Sequence, residues 1–220
     1  MLPAAEALEG PLRPHDLLWI GAPEDLRSTD GLPAWASQAW LSIAPVVVRR
    51  DAPGEHGAVP VGLRGRTRSE RFATFVARER IRRRMTPEAL AQTQAWLGHP
   101  ELASLPCLRA LIQVAPELDR LGLMWGIGGS VGFALASGVS TLRHDSDLDL
   151  LLRATQPLSR DEARALVSLL QTAPARIDMQ VDTGHGGFAL AEWAGAALRV
   201  LLKTAHGPRL VADPWSGDTA

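Results

Sequence analysis

The chain has 220 residues, 46% hydrophobic and 21% charged, with 23 Lys and Arg against 24 Asp and Glu for a formal net charge of -1. Those proportions fit an ordinary folded protein of one large domain or two small ones, and they exclude a disordered chain and one that coats nucleic acid through its overall charge. A single cysteine, Cys107, excludes an internal disulfide and a cysteine-built zinc site, as expected in a reducing cytoplasm, and no window approaches the roughly eighteen uninterrupted apolar residues of a membrane span.

The opening "MLPAAEALEGPLRP" has no basic stretch followed by an apolar one, so no leader peptide is expected, and a cytoplasmic protein with no membrane partner follows. Next, "DLLWI" and "PVVVRR" are predicted strands by their β-branched and aromatic content. Between them "LPAWASQAWLSI" has near-helical apolar spacing, with Pro33 suited to a first turn and Trp35 and Trp40 expected in a core.

Composition changes sharply after that, with Arg64, Arg66, Arg68, Arg71, Arg78, Arg80, Arg82, Arg83 and Arg84 in one short stretch opposed by Glu70 and Glu79. That stretch is either a solvated helix face or a surface that steers a polyphosphate substrate or an acidic protein partner. Thr86, Pro87 and Glu88 then form a helix-start signature, and the boundary between an N-terminal lobe (1–86) and a catalytic domain (87–220) is expected there.

From Pro106 the pattern is regular: a helix through "LRALIQVAPELDRLG", a strand "LMWGI", a turn at Gly128, Gly129 and Ser130, a short helix ended by Gly138, and the strand "DLDLLLR". A helix "SRDEARALVSLLQTA" and the strands "ARIDMQVDT", "LRVLLKT" and "PRLVADP" follow. Strands alternating with helices and then antiparallel-looking runs predict an α/β (α+β) protein: a mixed sheet flanked by helices, preceded by a smaller N-terminal α+β lobe.

The chemistry concentrates in "GGSVGFALASGVSTLRHDSDLDL". Strand side chains alternate between faces, so Asp147 and Asp149 share one face while Leu148 and Leu150 point the other way. Two carboxylates so placed repel each other unless a cation lies between them, and Mg²⁺, or Mn²⁺ in its place, suits hard oxygen ligands that also face substrate phosphates.

Gly128 and Gly129 allow close backbone approach, and Ser130 could cap the following helix, leaving its first amides for an anion. In "RIDMQVD", Asp178, Gln180 and Asp182 share a face, so Asp178 is the expected third carboxylate, with Asp182 its competitor. Such a cluster, with one or two metal ions, suits in-line phosphoryl displacement and therefore nucleotidyl transfer. Lys203 could touch phosphate or reach out to solvent, His144 and Ser146 could orient ligands or merely occupy a loop, and the scattered tryptophans are expected in cores.

Gly-Gly-Ser followed by Asp-x-Asp resembles the signature of the polymerase β-like nucleotidyltransferase superfamily over roughly residues 107–203. Over nearly the whole chain, "HDLLWI", "PVVVRR", "PVGLRG", "WGIGGSVGFALASG", "SDLDLLLR" and "DPW" resemble the malonate decarboxylase holo-acyl-carrier-protein synthases, also called phosphoribosyl-dephospho-CoA transferases.

That resemblance implies a nucleotidyltransferase fold. It implies transfer of the phosphoribosyl-dephospho-CoA group from 2'-(5''-triphosphoribosyl)-3'-dephospho-CoA to a serine of the apo acyl-carrier subunit of malonate decarboxylase, with diphosphate released. The family's paired aspartates fall on Asp147 and Asp149 as catalytic residues and metal ligands. Superfamily logic adds Gly129 and Ser130 as triphosphate contacts and Asp178 as a further ligand. The N-terminal lobe, with its arginine stretch 64–84, becomes the candidate for substrate and carrier recognition. The competing readings are a different metal-dependent nucleotidyltransferase acting on a small molecule, RNA or protein, and a non-catalytic nucleotide-binding module. A nucleic-acid-binding protein would rest on the arginine stretch alone.

Overall fold

A computed structural model describes residues 10–28, 31–67, 69–139 and 141–216. Arg68 of the arginine stretch, and the first nine residues of the opening segment, fall outside them. The described residues form a mixed α and β architecture of two six-stranded sheets and six α-helices.

The first sheet is antiparallel and is built from β1 (Leu17–Ile20), β2 (Leu26–Arg27), β3 (Val46–Val48), β4 (Val59–Arg64), β5 (Arg71–Val76) and β6 (Ile81–Met85) in the order β2-β5-β4-β3-β1-β6. The predicted strands around Leu17 and Val46 are present, but the arginine stretch is no α-helix face: it runs from the last residue of β4 through β5 and β6 and the turns between them. Alternation along those strands sends its arginines to different places. Arg66 stacks over Trp40 at 4.9 Å, Arg83 over Trp19 at 4.1 Å, and Arg84 forms a buried ion pair with Asp16 at 2.9 Å. The helix near Trp40 is shorter than its apolar spacing suggests: α1 (Gln38–Leu41) starts at Ser37, whose hydroxyl accepts the Trp40 amide, so Pro33 lies outside it.

Thr86 accepts the Ala89 amide at 3.1 Å and, with Pro87 in the first turn, starts α2 (Pro87–Gln92) as its sequence signature implies. The second sheet follows, with β7 (Trp125–Ile127), β8 (Leu148–Arg153), β9 (Ile177–Asp182), β10 (Gly187–Ala189), β11 (Val200–Thr204) and β12 (Gly207–Val211) in the order β12-β11-β10-β9-β8-β7. Only β8 and β9 run parallel, which makes the sheet mixed. Their connection is α5 (Arg160–Leu170), opened by a capping box between Ser159 and Glu162, as a parallel crossover requires. The strand β10 and the short helix α6 (Leu190–Ala194) have no counterpart in the sequence reading.

One face of the second sheet carries Leu148, Leu150 and Leu152 into a core with α5 and the long helix α3 (Pro106–Arg120), where Cys107 is fully buried. Helix α4 (Gly129–Ser137), ended by Gly138 in the left-handed conformation, is apolar all round for a reason visible in its neighbours. Val131, Leu135 and Ala136 enter the core of the second sheet, whereas Phe133, 1% exposed, enters the core of the first. In return Leu17, Trp19 and Met85 of the first sheet pack into the second core.

Trp19, Trp40, Trp96 and Trp125 are buried, and Trp193 and Trp215 pack edge-on 5.3 Å apart. Among the described residues no helix is long and apolar enough to cross a membrane.

Candidate active site

The other face of the second sheet turns toward the first lobe, and strand register arranges its side chains in rows. Asp149 lies opposite Asp178; one step on, Leu151 opposes Gln180; at the far end Arg153, Asp182, Gly187 and Lys203 are aligned across four strands. The alternation seen in the sequence is therefore real, and it separates one acidic end from one ion-paired end.

At the acidic end, oxygen atoms of Asp147, Asp149 and Asp178 lie within 4.8 Å of one another, each side chain half-buried. Asp147 precedes β8, Asp149 is its second residue, and Asp178 is the second residue of β9. Burial raises the Asp149 carboxyl most, the charges of Asp147 and Asp178 add to it, and its pKa is pushed up to about 6 despite Arg64 and Arg176 nearby. Three carboxylates crowded around a half-buried pocket are a donor set that gains by holding a divalent cation, so these residues could hold a metal. Arg176 pairs with Asp178 at 3.0 Å on the solvent side.

Facing the acids is the start of α4. The Gly128 amide donates to the Asp149 carbonyl at 2.9 Å, tying the turn to β8. Gly129 follows with φ +56, a conformation that favours glycine, and a Cβ there would stand 1.8 Å from Asp149 Oδ2.

Ser130 does not cap α4 as the sequence suggested. Gly128 is the cap residue and makes no side-chain cap bond, while Ser130 lies one residue inside the helix. Its hydroxyl instead accepts a 2.5 Å hydrogen bond from Arg64, the last residue of β4. A helix has no internal acceptors for its first backbone amides, and Gly128 and Gly129 at this helix start border the same cavity as Asp149 and Asp178.

Asp178 and Asp182, equivalent by alternation, have separate surroundings. Asp182 is 6% exposed and accepts from Arg50 and Arg153, each at 2.7 Å, and from the Gly184 amide. Burial alone would raise its carboxyl, but the Arg50 charge and hydrogen bond, the Gly184 amide and the Arg153 charge outweigh this and hold it below its ordinary value. Arg153 continues the network to Glu88 at 2.6 Å and to the Pro14 carbonyl, so Asp182 joins the lobes and stands outside the acidic cluster.

Between the two ends, His15 meets Gln180 at 3.1 Å, and burial first, then Arg50 and Arg153, lower its pKa to about 4, so it is neutral at physiological pH. A cavity of about 920 Å³ is bordered by Gly129, Asp149, Asp178, His15 and Lys203 and extends to the apolar side chains of Leu170 and Ala191. Lys203, exposed on β11, therefore opens on the same cavity as the acids. Ser146 and His144 belong to the loop before β8: Ser146 is buried and accepts the Arg143 amide, and His144 is exposed.

Sequence reasoning did not single out Arg64, His15 or Gln180. Their neighbours come from another lobe; Arg64 stood only as one member of the arginine stretch, and Gln180 only as alternating with Asp178 and Asp182.

Comparisons with known families cover most of the chain. The model described as "Phosphoribosyl-dephospho-CoA transferase MdcG N-terminal domain" matches residues 13–87, and that described as "Phosphoribosyl-dephospho-CoA transferase MdcG C-terminal domain" matches residues 89–214. A phosphoribosyl-dephospho-CoA transferase of Pseudomonas putida (strain GB-1) is 49% identical over 204 residues, 93% of this chain and 95% of that protein. One from another Pseudomonas putida strain is 50% identical over 206 residues, with 93% and 95% covered. One from Azotobacter vinelandii is 46% identical over 207 residues, with 92% and 94% covered. No solved structure matches the chain. The comparisons agree across both lobes, and the chain belongs to the phosphoribosyl-dephospho-CoA transferase family.

Proposed function

We propose that this transferase takes 2'-(5''-triphosphoribosyl)-3'-dephospho-CoA as donor and a serine of the apo acyl-carrier subunit of malonate decarboxylase as acceptor, and releases diphosphate. The observation that carries the reading is the cluster of Asp147, Asp149 and Asp178 set against the start of α4 across Gly129. A donor set that could hold a metal and a helix start suited to an anion adjoin each other at Gly129, an arrangement that supports displacement on a triphosphate.

In the reaction the carrier serine oxygen bonds to the α-phosphorus. The bond from that phosphorus to the bridging oxygen breaks, its electron pair leaves on diphosphate, and the hydroxyl proton passes to water on the open side of the cluster. Asp147 and Asp149 act as the catalytic pair, and with Asp178 they would hold Mg²⁺, or Mn²⁺ in its place. When bound, that ion supplies neutralisation of the triphosphate charge. The amides of Gly129 and Ser130 receive the departing phosphates, and Lys203 reaches the donor from β11. The cavity beside them takes the dephospho-CoA arm, its apolar wall suiting pantetheine.

Residues 87–220 are the catalytic domain and residues 1–86 the substrate and carrier recognition lobe, with the exposed members of the arginine stretch 64–84, Arg66, Arg71, Arg78, Arg80 and Arg82, offered to an acidic carrier. The reaction is placed in the cytoplasm on the ground that a single cysteine suits a reducing compartment. Incubation with Mg²⁺, the donor and apo-carrier, followed by mass spectrometry of the carrier and a diphosphate assay, tests the reading. A carrier that gains no mass from a verified donor would rule it out.

A further inference from the structure

One first-lobe residue that borders the cavity departs from ordinary backbone geometry. His15 has φ +78, in the left-handed region that residues with a side chain rarely adopt and that costs free energy to hold. Its neighbours keep it there. The His15 amide donates to the Val48 carbonyl at 3.0 Å, the Val48 amide donates to the Asp16 carbonyl at 2.8 Å, and the buried Asp16 carboxylate accepts the Arg13 amide at 2.9 Å. The backbone is locked on both sides of His15, and its ring is set against Gln180 of β9, 3.1 Å away in the second lobe.

Both side chains are half-buried in the cavity wall. Burial, then Arg50 and Arg153, keep the imidazole uncharged at physiological pH. An amide oxygen only accepts, so the bond to Gln180 Oε1 places the ring proton on His15 Nε2 and leaves Nδ1 an acceptor. The Gln180 amide nitrogen keeps its N–H donors, and among the described residues neither of these two nitrogens makes a further hydrogen bond. Across the sheet, Gln180 is flanked by Leu151 on β8 and Ala189 on β10, which have no polar side-chain atoms. This row therefore offers one neutral acceptor and one neutral donor on an otherwise apolar wall, the pattern by which a pocket selects an uncharged polar group.

Position says which group. Gln180 follows Asp178 by two residues on one face of β9 and so stands about 7 Å further along the strand. With a phosphorus at the acids, the sugar that carries it reaches this row. A hydroxyl both donates and accepts, which suits an acceptor beside a donor, whereas a phosphate, an acceptor only, would leave His15 Nδ1 unmatched. We propose that His15 and Gln180 form a ribose subsite, binding the hydroxyls of the phosphoribosyl group whose phosphorus reacts and setting specificity for that sugar. The assignment rests on the reading that the donor is a triphosphoribosyl compound. It makes the site a joint product of both lobes: the second carries the acids, the helix start and Gln180, and the first delivers the imidazole from a backbone held in the left-handed region for that purpose.

ATP carries the same ribose 5-triphosphate and serves as the probe. Calorimetric titration in Mg²⁺ compares ATP with 2'-deoxy-ATP and 3'-deoxy-ATP for wild type, Gln180→Leu and His15→Asn, each checked by thermal melting; asparagine tolerates the left-handed backbone but lacks the ring. The expected result is that wild type binds ATP about 10-fold more tightly than at least one deoxy analogue, and that both variants lose this preference while keeping their affinity for that analogue. The KM for the donor should rise by a similar factor and the KM for the carrier should not. Loss of a merely structural brace would weaken all three nucleotides alike. A wild type that treats the three nucleotides alike, or a folded variant that keeps the preference, overturns the assignment, and if one variant does not fold the other decides. A wild type that discriminates among the nucleotides but adds no mass to the carrier would instead overturn the reading of the reaction, so the two failures are distinguishable.

Discussion

The Cβ that any residue other than glycine would carry at position 129 falls 1.8 Å from Asp149 Oδ2, so the helix start and the acidic cluster are in van der Waals contact through a missing side chain. Close approach and φ +56 make the same demand there. Gly129→Ala should therefore displace the Asp149 carboxylate and cost about 1 kcal/mol or more of stability through backbone strain. Since a misplacement of about 1 Å at a reacting centre can cost about 100-fold in rate, kcat should fall far more than the melting temperature. A variant with normal turnover would show that the two halves do not form one site.

Asp178 and Asp182 lie on one face of β9 but should fail in opposite ways. Asp178→Asn changes a side chain that is 45% exposed, so stability should move by less than about 0.5 kcal/mol while turnover drops about 100-fold. Asp182→Asn leaves the largely buried Arg50 without its carboxylate and Arg153 with Glu88 alone, and should cost about 3 kcal/mol of stability. At a temperature where it is folded, its melting point should still rise on adding Mg²⁺, and that of Asp178→Asn should not. Denaturant titration and thermal shift with and without Mg²⁺ separate the cases.

That contrast marks what the amino-acid order reveals. Asp147 and Asp149 were legible because period-two alternation turns them away from Leu148 and Leu150, and Gly129 because a Gly-Gly turn precedes an apolar helix. Asp178 and Asp182 were not separable, since alternation treats them alike and the choice is made by Arg50, more than a hundred residues upstream, and by Arg153 on the next strand. Arg64 was hidden for a related reason. Within an arginine-rich run nothing local distinguishes the guanidinium that reaches Ser130 from those stacked on Trp19 and Trp40. Ser130 resembled a cap because serine prefers that place, but Gly129 enters with positive φ and Gly128 is the cap, so the helix starts two residues earlier.

Phe133 supplies a test of the junction between lobes. It is the α4 residue buried in the core of the first sheet, and Arg64 lies over its ring. Phe133→Ala should cost about 3–5 kcal/mol by leaving a cavity. Phe133→Leu should cost less yet still remove the aromatic face beneath Arg64. If this contact between the sheets also holds the start of α4 against the acidic cluster, Phe133→Leu should lower kcat while leaving the protein folded. An unchanged kcat would limit Phe133 to packing.

The raised carboxyl of Asp149 ties stability to pH and to metal. Its folded-state pKa of about 6 lies above the ordinary 3.8, so protonation favours the folded chain. Its stabilising contribution is complete below about pH 4 and is lost as the pH rises through about 6. Above that window the ionised carboxylate works against the fold of the metal-free protein, by at most about 3 kcal/mol and nearer 1–2 kcal/mol given its partial exposure. Asp149→Asn should accordingly raise the melting temperature of the metal-free protein at pH 8, and by roughly half as much at pH 5, while abolishing transfer. Mg²⁺, binding the ionised form, should stabilise the wild type more at pH 8 than at pH 5 and leave Asp149→Asn nearly unmoved. Equal Mg²⁺ shifts at the two pH values, or a metal-free Asp149→Asn protein that melts below wild type at pH 8, would show that repulsion within the acidic cluster is not what a bound cation relieves.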